Sequence, residues 1–121
     1  MQKPELRILI AEDDDPNAEV ARSIFKKLGI AFDVAWNGAQ AVEFFRDNSY
    51  HLVFMDVQMP IMDGLEATVR IRALPRGEGT PIIGTSAGVD KSVCLAVGMN
   101  DVMPKPFHLD KVRVVLEQWV Q

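Results

Sequence analysis

Apolar residues along this chain fall into two spacings that alternate. Continuous runs at Arg7-Ile8-Leu9-Ile10-Ala11, Leu52-Val53-Phe54-Met55 and Pro81-Ile82-Ile83-Gly84-Thr85 read as strands, the central one as a strand buried on both faces. Between them apolar residues recur every three or four positions, which is the stripe of a helix lying on a sheet. Pro16 suits a first helical position with Asp15 as its cap. Ala21, Ile24, Phe25 and Leu28 then form a stripe that stops at Gly29. Phe32-Asp33-Val34-Ala35 is a short second strand, Asn37-Gly38 a turn, and Ala41, Val42, Phe44 and Phe45 mark a second helix. After the strand that ends at Asp56, Gln58 to Gly64 carries turn chemistry, and a helix begins near Leu65, with Leu65, Val69 and Arg72 on one face. A short helix at about Lys91 to Val97 is closed by Gly98. Asp101-Val102-Met103 is a last brief strand, and Leu109, Val112, Leu116 and Trp119 line a final helix flanked by Val115.

Strands and helices that alternate through short loops require a parallel sheet with right-handed crossovers and helices on both faces. The class is therefore α/β, with five strands predicted. In such sheets the carboxyl ends of the strands share one edge, where ligands bind. That edge gathers Glu12 and Asp13 after the first strand, Asp56 after the third, Ser86 after the fourth and Lys105 after the fifth. A lone Asp after a strand more often caps a turn, so it is this convergence that points to chemistry.

Charge and cysteine content narrow the setting. With 121 residues the chain is read as one domain, 1–121. Net charge is −4, and no basic cluster exceeds Lys26-Lys27, which argues against direct nucleic-acid binding and favours a protein partner. A single cysteine cannot form an internal disulfide, and no signal peptide or membrane span is expected. A cytoplasmic protein without membrane contact is the expectation.

Three carboxylates side by side need a cation, because like charges about 4 Å apart repel by roughly 4 kcal/mol at an effective dielectric near 20. Oxygen donors with no His or Cys beside them suit a hard ion, and partly hydrated Mg²⁺ is the natural choice. Lys105 would then face an anion. A carboxylate beside a divalent cation, an ammonium and a hydroxyl is what a phosphoryl group in transfer requires, with Asp56 as nucleophile.

Over nearly its whole length the chain resembles the receiver domains of two-component response regulators. The resemblance rests on Ile8-Leu9-Ile10-Ala11-Glu12-Asp13, on Phe54-Met55-Asp56-Val57-Gln58-Met59-Pro60-Ile61-Met62-Asp63-Gly64, on Ile82-Ile83-Gly84-Thr85-Ser86-Ala87 and on Lys105-Pro106. It implies a flavodoxin-like fold of strand order 2-1-3-4-5 and Asp56 as phosphoacceptor. It further implies Asp13, Asp56 and the Gln58 carbonyl as Mg²⁺ ligands, with Glu12 acting through water, and Ser86 and Lys105 on phosphoryl oxygens. A cis Lys105-Pro106 bond belongs to the same pattern. The implied partner is a histidine kinase or histidine phosphotransfer protein. The chain would be no enzyme in the ordinary sense but an acceptor that catalyses its own phosphorylation and dephosphorylation, a monomer or weak dimer. The wording from Met59 to Thr68 is similar to receivers of hybrid histidine kinases.

The chain departs from the family's wording in three ways. Val102 stands where an aromatic switch residue is usual, and Gly88 offers no side chain over the phosphoryl site. The stretch from Ser86 to Gly98 is short, so the fourth helix should be short as well. Remaining residues have ordinary readings: His51 and His108 as surface or capping groups, Cys94 and Trp119 as packing, and Asp14 as a solvated loop charge. A haloacid-dehalogenase type hydrolase also forms aspartyl phosphate, but it needs a second acid where this chain has Gln58. A phosphorylation-independent binding module would lack acids or lysine that are present here.

Overall fold

Four of the five helices start on a side chain that accepts one of their free N–H groups, which is why they begin where they do. The computed structural model describes residues 5–88 and 90–120. The strands are β1 (Arg7–Ala11), β2 (Ala31–Ala35), β3 (Leu52–Asp56), β4 (Ile82–Ser86) and β5 (Asp101–Pro104). The helices are α1 (Asp15–Leu28), α2 (Gly38–Asp47), α3 (Gly64–Arg72), α4 (Lys91–Ala96) and α5 (Leu109–Trp119). Asp14, Asn37, Asp63 and Asp90 accept from the backbone of Asn17, Gln40, Glu66 and Ser92 at 3.0, 2.8, 2.9 and 2.9 Å. His108 precedes α5 without such a bond.

All strand pairs are parallel and the order is β2-β1-β3-β4-β5, the flavodoxin-like arrangement. Alternation along the strands splits the core in two. Ile8, Ile10, Phe54 and Ile83 pack against Ala21, Ile24 and Phe25 of α1 and Val112 and Val115 of α5. Leu9, Val53, Met55 and Ile82 pack against Ala41 and Phe45 of α2, Ala67 and Ile71 of α3, and Cys94 of α4.

Two readings of local sequence are corrected. Asp14, not Asp15, caps α1. The Ala18 N–H already bonds the Asp14 carbonyl at 2.9 Å, so the helix starts one residue early and the supposed loop charge has a structural task. In α3 the buried residues are Gly64, Ala67, Thr68 and Ile71, whereas Val69 is 53% exposed. The spacing of Leu65, Val69 and Arg72 is helical, and Leu65 does pack, partly buried, against the core, but Val69 faces outward. Arg72 instead reaches out along the base of the sheet to donate to the carbonyls of Gly98, Gly77 and Thr80 and to Asn100 Oδ1. Val115, expected at the flank of α5, is one of that helix's two buried residues. The six-residue α4 is short, as expected, and Gly98 closes it with φ 112°. The Lys105-Pro106 bond is cis.

Candidate functional site

Each acid or base predicted from sequence arrives at one edge of the sheet by the same device, a strand that ends at it or shortly before it. Glu12 follows β1 and is fully buried, its N–H held by the Ala35 carbonyl at 2.9 Å. Asp56 closes β3 and is 2% exposed. Lys105 follows β5, its N–H bonded to the Ser86 carbonyl at 3.1 Å, so β4 and β5 deliver hydroxyl and ammonium together. Asp13 is exposed at the rim.

Lys105 Nζ lies 2.9 Å from Asp56 Oδ2, 3.1 Å from Glu12 Oε1 and 3.3 Å from Glu12 Oε2. Two backbone N–H groups also hold these carboxylates: Gln58 donates to Asp56 Oδ1 at 3.2 Å, and Asp14 donates to Glu12 Oε2 at 3.1 Å. Ser86 is largely buried, and its Oγ accepts from Gly88 at 3.1 Å. No atom stands within 4 Å of where a Gly88 side chain would begin, so that flank of the site is open.

One ammonium cannot neutralise three carboxylates. One oxygen from each of Glu12, Asp13 and Asp56 falls within a group spanning 4.8 Å. Burial raises the Asp56 carboxyl above the ordinary range, and Glu12 adds to the rise against the opposing pull of Lys105. Partial burial and the contact with Asp56 raise Asp13 as well. Burial alone would lower the Lys105 ammonium, but Asp56 and Glu12 outweigh it and the group is held above its ordinary value. The site therefore carries uncompensated negative charge behind oxygen donors, the donor set and charge that a hard divalent cation fits.

Sequence reasoning aimed Lys105 at an anion but did not foresee that Glu12 and Asp56 share it. It also took Gly64 for turn chemistry alone. A side chain there would collide with the Asp56 carbonyl, and one at Gly38 would collide with the Met62 carbonyl, so both glycines let the loop after Asp56 close down on the site. His51, a surface group, accepts from the Arg7 N–H at the opposite end of the sheet.

The profile of the response regulator receiver domain family matches residues 8–117. This chain belongs to that family. The receiver is 36% identical over 122 residues to the aerobic respiration control sensor protein ArcB of Escherichia coli, covering 98% of this chain and 16% of that protein. It is 38% identical to hybrid signal transduction histidine kinase B of Dictyostelium discoideum, covering 89% of this chain and 6% of that protein. The chain thus spans a small fraction of these curated relatives. Among solved structures, the receiver domain of the sensor histidine kinase PA1611 of Pseudomonas aeruginosa, with magnesium coordinated in its active site cleft, superposes with a TM-score of 0.89. The two are 34% identical, over 96% of this chain and 98% of that one. The receiver domain of Ssk1 of Saccharomyces cerevisiae, crystallised with the histidine phosphotransfer protein Ypd1, gives a TM-score of 0.87 at 29% identity, over 96% and 89% of the two chains. The receiver is of the two-component and phosphorelay kind. Among its described residues no helix is long and apolar enough to cross a membrane.

Proposed function

We propose that this receiver, taken as residues 1–121, accepts a phosphoryl group on Asp56 from a phosphohistidine of a histidine kinase or histidine phosphotransfer protein. The observation that carries this reading is the buried Asp56 carboxylate, 2.9 Å from a lysine and within a group of three acids. In the transfer a P–O bond forms to Asp56 as the P–N bond to the donor imidazole breaks, and the bonding pair returns to that nitrogen. Lys105, already on Asp56 Oδ2, would follow the incoming charge onto a phosphoryl oxygen, and the Ser86 hydroxyl would take another. The Gln58 N–H holds Asp56 Oδ1 and so orients the carboxylate for in-line attack.

Asp13 and Asp56, with the Gln58 carbonyl, would hold Mg²⁺ directly, and Glu12 would act through water. The bound ion would supply positive charge that neutralises the carboxylates and the phosphoryl oxygens. Dephosphorylation by water would use the same groups, which makes the domain a self-catalysing acceptor rather than an enzyme with a separate substrate. Similarity to sensor and hybrid kinases supports a place within a hybrid histidine kinase or a relay, in the cytoplasm, as a monomer or weak dimer. Val102, half-buried and 3.7 Å from the position of a Gly84 side chain, has no ring to swing, which favours a relay intermediate over a strong allosteric switch.

Intact-mass measurement after incubation with phosphoramidate and Mg²⁺ tests the assignment. Wild type should gain one phosphate that Asp56→Asn does not, and EDTA should prevent the gain; equal labelling of both proteins would refute Asp56.

A further inference from the structure

Two non-glycine residues among those described hold left-handed backbone, Ile61 at φ 69° and Arg76 at φ 68°. L side chains are crowded there and β-branched ones most of all, and at the other described positive-φ positions the chain has glycine, Gly29 and Gly98. At Arg76 the strain is met by internal bonds. The guanidinium donates to Ser49 Oγ at 2.7 Å and to the Asn48 carbonyl at 3.1 Å, and the Arg76 carbonyl accepts from the Thr80 hydroxyl at 3.0 Å.

Ile61 has no such return. Its side chain is 84% exposed, although its neighbours Met59 and Met62 pack against the core. The loop does require the left-handed turn. The Met62 N–H bonds the Pro60 carbonyl at 2.7 Å, the Met62 carbonyl accepts from Gly38 at 2.9 Å, and the Gly64 N–H bonds the Val57 carbonyl at 2.9 Å. That requirement explains the backbone but not the isoleucine, because glycine or asparagine would hold it with less strain. The same loop frames the acceptor: Gln58 holds Asp56 at its start and Gly64 lies against the Asp56 carbonyl at its end. A protein that brings an imidazole to this carboxylate, 2% exposed, therefore passes close to the loop.

We propose that Ile61 is a specificity-determining contact for the histidine-bearing phosphodonor, an apolar knob held outward by a locked loop so that it seats in an apolar surface of that protein as the phosphohistidine meets Asp56. The proposal rests on the reading of Asp56 as phosphoacceptor. A knob whose backbone is already fixed gives up little freedom on docking, and this favours an anchoring role.

The test compares Ile61→Gly, Ile61→Leu and wild type with two donors. One is phosphoramidate. The other is the histidine phosphotransfer protein, phosphorylated on histidine, that transfers fastest to wild type within a purified panel. Ile61→Gly should melt a few degrees higher, because strain is relieved. It should lose about tenfold or more in kcat/KM with the protein donor, mainly through KM, while phosphoramidate labelling stays unchanged. Ile61→Leu, unbranched at Cβ but still apolar, should recover most of the loss. Unaltered transfer to Ile61→Gly would overturn the proposal, and so would a parallel loss with both donors, which would mean a disturbed loop. Loss of a wild-type dimer in Ile61→Gly with transfer unaltered would assign the knob to a second copy of the chain and overturn it too. Phosphoramidate labelling of Asp56→Asn would refute the site reading itself, an outcome separate from any of these.

Discussion

The two ends of the sheet handle polar groups in opposite ways. At the amino end, Arg7 pairs with Asp33 at 2.8 Å, the Tyr50 hydroxyl donates to the same carboxylate at 2.7 Å, and Arg7 lies over the Tyr50 ring. Farther along that end, Arg72 collects carbonyls from the turn before β4 and the loop before β5, and Arg76 binds the chain before β3. Every one of these cations ends on acceptors within the protein. At the carboxyl end one ammonium serves two buried carboxylates while a third stands at the rim, and among the described residues no second cation pairs with them. A polar cluster that closes on itself holds a fold together, whereas one left short of positive charge is arranged for something that arrives from outside.

The contrast is open to direct test, beginning where the effect should be largest. Lys105→Met removes the ammonium that Glu12 and Asp56 share. Phosphotransfer to Asp56 should fall about 10²- to 10³-fold with folding intact in the presence of Mg²⁺, as quench-flow labelling would measure. A variant that labels normally would show that Lys105 is structural, like the arginines at the other end.

Arg72→Met should do the reverse. Several carbonyls that now share one guanidinium would lose their donor, and denaturant unfolding should register a loss of about 2–4 kcal/mol with Asp56 labelling of the folded protein unchanged.

A smaller effect is expected from Asp56→Asn in metal-free buffer. Because burial raises the Asp56 pKa, the folded protein binds a proton more tightly than the unfolded chain does. Stability is then lost as pH rises from the ordinary carboxylate value through the folded pKa, and the penalty persists at neutral pH. Asp56→Asn should therefore melt higher than wild type at pH 7, and the gap should close in acid. Mg²⁺ should narrow it as well by stabilising wild type, by about 2.7 kcal/mol at 100 times its Kd. A wild type that equals or exceeds Asp56→Asn at neutral pH without metal would remove the claim of uncompensated charge.

Tyr50→Phe, at the balanced end, should cost the least, about 1 kcal/mol for one hydrogen bond to a carboxylate that keeps Arg7, with phosphotransfer unaffected.

Much of this was legible from the residues alone because spacing is a local property. Runs such as Leu52 to Met55 must lie within a sheet, and the alternation of runs with stripes leaves a parallel sheet whose carboxyl edge gathers Glu12, Asp13, Asp56, Ser86 and Lys105. The Asp-rich segment after β1 and the Asp63-Gly64 pair announced a site and a turn, since few other side chains cap a helix or allow so close an approach of the backbone.

Tertiary structure decided which of two equally helical faces is buried and which of two adjacent acids caps. In α3 Ala67, Thr68 and Ile71 are buried, Leu65 only partly and Val69 is exposed, a choice set by how the helix lies on the sheet rather than by hydrophobicity. Asp14 displaced Asp15 because its carbonyl accepts from Ala18 and its side chain from Asn17, a choice with no sequence signal. The sharing of Lys105 between Glu12 and Asp56, the closure of Gly64 onto the acceptor and the left-handed turn at Ile61 all depend on atoms far apart in the chain. A sequence states which charges reach an edge, but the distances between them, and so the sign and size of the field there, exist only once the strands have paired.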